Sequence, residues 1–157
     1  MQNDYAWSEV GTRAHVQANK RRGKSYSLIA DLSIHGMQAP FIVDGSVNAD
    51  TFLFYVKEIL APTLRAGQIV VMDNCTAHNK IELTDFFKTL DIQVWFLPAY
   101  SPDLSPIELA FNSIKDFLKK LSAQSFSSLS TAVKDAIASI PLADILAWFR
   151  LCGYCPH

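Results

Sequence analysis

Hydrophobic positions change their spacing several times along this chain, and each change marks an element. Residues 5–16 are polar, punctuated by Trp7 and Gly11. Ser25–Ser33 is rich in apolar residues and reads as a strand; Gly36 breaks it, and residues 39–43 read as its hairpin partner. Over 48–64 the period lengthens, with Phe52, Val56, Ile59 and Leu60 on one helical face. Pro62 is placed to kink or end that helix, and Gly67 closes the segment. Ile69–Met72 is a continuous apolar run closed by Asp73, the pattern expected of a strand buried on both faces. A helix over 80–90 carries Ile81, Phe86, Phe87 and Leu90, and 92–97 reads as a second buried strand. Strand, helix and strand in succession predict parallel neighbours. A proline-rich loop over 98–106 leads into a helix whose apolar face is Ile107, Ala110, Phe111, Ile114, Phe117, Leu118 and Leu121. Two more helices follow near 126–139 and 141–151, so the whole reads as an α/β sandwich in a single domain over 1–157.

Composition narrows the partners. Half of the 157 residues are hydrophobic, enough for a real core, and no apolar run approaches the ~18 residues of a membrane span. With no secretory signal pattern at the start, a cytoplasmic setting is expected. Fourteen Lys plus Arg stand against 15 Asp plus Glu, a net charge of −1, so any grip on DNA must use local patches. Candidates are Lys20, Arg21, Arg22 and Lys24, and Lys115, Lys119 and Lys120 on the later helix; a solvated turn and a solvated helix face are the ordinary alternatives. The cysteines, Cys75, Cys152 and Cys155, are odd in number and do not suggest a disulfide framework. Cys152 and Cys155 have the spacing of a redox or zinc pair, but no second pair accompanies them.

The chemistry converges at one sheet edge. Functional groups in open α/β sheets gather beyond the carboxyl ends of parallel strands. Asp73 follows the first parallel strand, and the loop after the second delivers Glu108 in the first turn of the next helix. Two such carboxylates suit a hard cation such as Mg²⁺. Two ions held together could assist phosphodiester cleavage and strand transfer. Other readings stay open: Asp73 and Asn74 as a turn, Ser105 to Glu108 as a capping box, and His78 as a surface or capping histidine.

More specific is the wording of two blocks. Val70, Val71, Met72, Asp73 and Asn74, followed by His78, resemble the second catalytic block of mariner-like superfamily DDE transposases of the bacterial insertion-sequence type. Phe96 through Glu108, with Pro98, Tyr100, Ser101, Pro102, Leu104, Pro106 and Ile107, is similar to that family's third block, with Ser105 where Asn is usual. The 34 residues between Asp73 and Glu108 match the Asp–Glu spacing of the family. Phe111 and Lys115 occupy its aromatic and Lys positions downstream, Tyr5, Trp7, Gly11 and Arg13 resemble the segment after its first aspartate, and Cys152, Gly153 and Tyr154 resemble its ending.

The resemblance implies a ribonuclease-H-like three-layer fold, a mixed sheet flanked by helices, here without its first, central strand and without an N-terminal helix-turn-helix DNA-binding domain. It implies Asp73 and Glu108 as catalytic metal ligands for Mg²⁺ or Mn²⁺, with Asn74 and His78 near the site. DNA, as transposon ends and target, would be the substrate, contacted by Arg21, Arg22, Lys24, Lys115 and Lys119. The expected activity is DNA endonuclease and strand transferase, acting at the nucleoid with a homodimer or an upstream transposase fragment as partner. The first aspartate of the family has no counterpart here: Asp4 lies too close to Tyr5, and Asp31 and Asp44 belong to the hairpin. A catalytically inactive remnant, serving as an interaction or DNA-binding module, is therefore the alternative expectation.

Overall fold

A computed structural model describes residues 5–6, 15–17, 25–74, 79–121 and 126–154. Two short strands, β1 (Tyr5–Ala6) and β2 (His15–Gln17), precede the long hairpin of β3 (Ser25–Ser33) and β4 (Gly36–Asp44). These four form one antiparallel sheet in the order β1-β2-β3-β4. Gly36 opens β4 instead of separating the strands: Ser33 pairs with Gly36 across a two-residue turn, and φ +130° at Gly36 suits glycine there. The strand pattern began at Ala39 because the register shifts there. Ile29 pairs with Phe41 but Asp31 pairs with Gln38, so Ala39 and Pro40 together oppose Ala30. Pro40 has no N–H for the ladder and Ala39 sits at φ +50°, the marks of a bulge.

The helix after β4 starts at α1 (Ala49–Phe54), where the Asn48 side chain accepts from the Thr51 N–H at 2.8 Å. It widens into a π-helical stretch over Tyr55–Leu60 and then tightens to a 3-10 turn at Ala61–Thr63. Pro62 cannot donate to an α ladder, so the helix ends where its proline predicted. Next come β5 (Ile69–Met72), α2 (Lys80–Thr89) and β6 (Gln93–Phe96), with β5 and β6 parallel and in register from Ile69 with Gln93 to Met72 with Phe96. A 3-10 turn at Pro102–Leu104 leads to α3 (Pro106–Lys119), followed by α4 (Phe126–Ala138) and α5 (Leu142–Leu151).

One core joins these layers. α3 packs on β3 and against α4 and α5, α2 packs on β6, and the π-helical stretch packs on β4. Leu28 and Ile29 of β3, Phe52 of α1, Tyr55, Met72 of β5, Phe87 of α2, and Phe111 and Ile114 of α3 are all essentially sealed from water. The α3 face is the predicted one except for Leu121, which lies past the helix end and is exposed.

The parallel pair departs from expectation. β5 and β6 are not buried on both faces: Ile69 is 45% exposed and Trp95 55%. Among the described residues β5 pairs with β6 alone, and β3 pairs with β2 only over Ser25–Ser27. The strands thus form two sheets, and a cavity of about 360 Å³ lies between them. Asp31, Leu32 and Ser33 of β3 line it, facing Ile69, Val70 and Val71 of β5. A continuous apolar run reports what a strand could bury; whether a neighbour stands beside it is a tertiary matter.

Candidate active site

Asp73 is set by the strand before it. Met72 is fully buried, and its carbonyl accepts from the Leu97 N–H at 2.7 Å, so the ladder continues one step beyond β6. That bond brings the carboxyl ends of both parallel strands level, with Asp73 half-buried at the shared edge. From Leu97 the chain turns through Tyr100, whose φ of +56° is rarely adopted by a non-glycine residue and whose ring is wholly exposed. The 3-10 turn then carries the chain into α3, and Glu108 stands half-buried in its first turn.

Electrostatics tie the two acids together. Glu108 is pushed above the usual carboxylate range, first by burial and then by the negative charge of Asp73. The two residues that the strand order brings to one edge are therefore close enough to repel. The capping alternative for Glu108 fares less well. Ser105 does occupy the N-cap position, but its side chain makes no cap hydrogen bond. Its N–H, which a capping box would offer to the Glu108 carboxylate, donates to Pro102 O at 3.1 Å.

Other expected site residues fare unequally. Asn74 is exposed beside Asp73 and accepts a hydrogen bond from the Lys80 ammonium. His78 lies outside the described residues, as do Arg21, Arg22 and Lys24. Lys115 and Lys119 follow Glu108 along one stripe of α3, with Asn112 between. Seven residues of helix put Lys115 roughly 10 Å further along the axis. Lys119 is paired at 3.3 Å with Asp116. Of the C-terminal cysteine pair, Cys155 lies outside the described residues and Cys152 is buried at the end of α5.

Sequence reasoning missed Lys80. Its ammonium lies 5.2 Å from the Phe96 ring centroid while donating to Asn74, so a cation is fixed at the same strand edge as the two acids. The available signal was a lysine opening the helix that follows the Asp73 turn. Mg²⁺ fits the donor set in kind, since two neighbouring carboxylates supply oxygen ligands and lose their mutual repulsion when a cation joins them. Among the described residues no cluster of three acidic, His or Cys side chains is formed.

Comparison with known proteins gives the family and the fold of the chain. The family model described as DDE superfamily endonuclease matches residues 1–130. Among solved structures, the Mos1 transposase catalytic domain with raltegravir and Mn superposes with TM-score 0.69 at 20% identity, covering 88% of this chain and 74% of that one. The Mos1 strand transfer complex gives TM-score 0.70 at 22% identity, covering 95% of this chain but 46% of that one, so this chain spans about half its length. The catalytic domain of Mos1 mariner transposase gives TM-score 0.65 at 18% identity, covering 88% and 73%. Likeness at these identities shows a shared ribonuclease-H-like fold. No curated protein matches the chain in sequence.

Proposed function

This chain belongs to the DDE superfamily endonucleases, and from that premise we propose that it is the catalytic domain of a mariner-like transposase, cutting and joining DNA at transposon ends. The observation that carries the reading is the pairing of Asp73 with Glu108, in which burial and the Asp73 charge together raise the Glu108 carboxyl. Placing two like charges together is costly, and such clusters are typical of sites built for a cation. Asp73 and Glu108 would hold Mg²⁺ or Mn²⁺. When bound, the ion supplies Lewis-acid stabilisation of charge on the phosphate oxygens.

This chain's own residues then divide the work. Glu108 takes up a proton more readily than a free carboxylate, so it gives one up when a cation binds, and affinity falls as pH drops through its titration. Lys80, held by Asn74 and Phe96, would face a phosphate at the strand edge. Lys115 and Lys119 would carry the DNA backbone along the α3 stripe, joined by Arg21, Arg22 and Lys24; His78 would stand close to the ligands. Mos1 structures include a strand transfer complex and a pre-cleavage transpososome, which supports transposon-end DNA as the substrate here. Action at the nucleoid follows from that substrate.

Among the described residues the β3 edge beyond Ser27 and the edge of β5 away from β6 carry no ladder, and an extended segment in the cavity between them would be the place for the family's third carboxylate. Without that segment the chain would act as an interaction or DNA-binding module, the alternative reading. Paramagnetic Mn²⁺ added to labelled protein tests the reading. Amide signals next to Asp73 and Glu108 should broaden first. Broadening centred on any other acidic residues would sink it.

A further inference from the structure

Cys152, Gly153 and Tyr154 close the chain's last helix in a way that reaches the active-site loop. Gly153 has φ +92°, its N–H donates to Arg150 O at 3.1 Å, and the Tyr154 N–H donates to Phe149 O at 2.8 Å. These two bonds around a left-handed glycine are the Schellman ending of a helix. The turn directs Tyr154 back along α5, where its ring meets Phe149 edge to face at 5.9 Å and 72°. From there its hydroxyl donates to Leu104 O at 2.8 Å, across 50 positions of sequence.

Leu104 ends the 3-10 turn that enters α3, four residues before Glu108. Its carbonyl precedes the N-cap and so stands outside the α3 ladder. The usual fastening of a helix start is missing at this place, because the Ser105 side chain makes no cap bond. Tyr154 and Phe149 also line the cavity together with Leu104, Ser105, Pro106 and Ile107, so the contact closes one wall around the start of α3.

We infer that Tyr154 is a positioning residue for Glu108, its hydroxyl pinning the Leu104 carbonyl and thereby fixing where the first turn of α3 stands relative to Asp73. The inference deepens the metal-site reading and rests on it for its functional meaning. In this role Tyr154 acts through the loop.

Tyr154→Phe removes only the hydroxyl, and Phe149→Leu disturbs the ring contact while leaving the hydroxyl in place. Hydrogen exchange and Mn²⁺ titration are read on both variants in the full chain. In Tyr154→Phe the amides of Leu104, Ser105 and Glu108 should exchange roughly fivefold faster, the factor one neutral hydrogen bond carries, with α2 unchanged. The Mn²⁺ midpoint should weaken by a similar factor, whereas Phe149→Leu should lower the melting temperature without moving that midpoint. Unchanged exchange over 104–108, or equal acceleration in every element, overturns the inference. So does a wild-type Mn²⁺ midpoint that Tyr154→Phe leaves untouched. A wild-type chain that takes up no Mn²⁺ refutes the metal reading instead, and local exchange alone then decides whether Tyr154 holds the loop.

Discussion

Asp31 offers a test in which the sign of a pH effect can be worked from the structure. It sits on β3 next to the Ala39–Pro40 bulge, lines the cavity, and is only partly exposed. Burial pushes its carboxyl from 3.8 up to about 6, against a smaller opposing pull from the Leu32 backbone hydrogen bond. A folded-state value raised above the unfolded one means that folding favours the neutral acid. Its contribution to stability is then complete below about pH 4 and is lost as pH rises through 6. The shift of about two units corresponds to a ceiling of ~3 kcal/mol. Because the side chain is not fully sealed, solvent screening reduces this to roughly 1–2 kcal/mol. Asp31→Asn carries no charge at any pH. Urea unfolding should therefore find the variant more stable than wild type by about that amount at pH 8, with the gap closing near pH 3.5. An equal difference at both pH values would mean that folding leaves the carboxyl unshifted, and a less stable variant at pH 8 would mean that the fold stabilises the charged carboxylate; either result overturns the expected sign.

Two further outcomes follow from packing and charge. Phe111→Ala empties a fully buried position where α3 meets the core, and should cost ~3–5 kcal/mol in urea unfolding; a loss under 1 kcal/mol would contradict the packing described. Lys80→Met keeps the length of the side chain but removes its charge from the Asp73 edge. Affinity for a DNA duplex, measured by fluorescence anisotropy, should fall and its salt dependence should flatten by about one unit of slope, while the melting temperature stays within a degree or two.

The placement of the two candidate acids is readable in the sequence because its logic is local. Asp73 ends an apolar run and Glu108 follows a Pro-rich loop, so strand order alone brings them to one edge. The α3 face was equally readable from its 3.6-residue period, failing only at Leu121, where the helix had already stopped. What stayed hidden depends on neighbours distant in sequence. Burial of Ile69 and Trp95 was overestimated because apolar content says nothing of whether a second ladder is present. The bulge arises where Ala39 and Pro40 together oppose Ala30, and the start of β4 could not be placed without that register. Lys80 matters through Asn74 and Phe96, and Tyr154 through a carbonyl 50 residues away; neither contact has a periodic signature.

If Asp73 and Glu108 form one cation site, a divalent-ion titration followed by thermal unfolding will reveal it. Wild-type protein should gain melting temperature with Mn²⁺ or Mg²⁺. Asp73→Asn and Glu108→Gln should each abolish the gain while melting higher than wild type without metal wherever both acids are charged, because each removes the repulsion between them. Stabilisation by metal that survives both substitutions, or none in the wild-type chain, would mean that these two acids hold no cation.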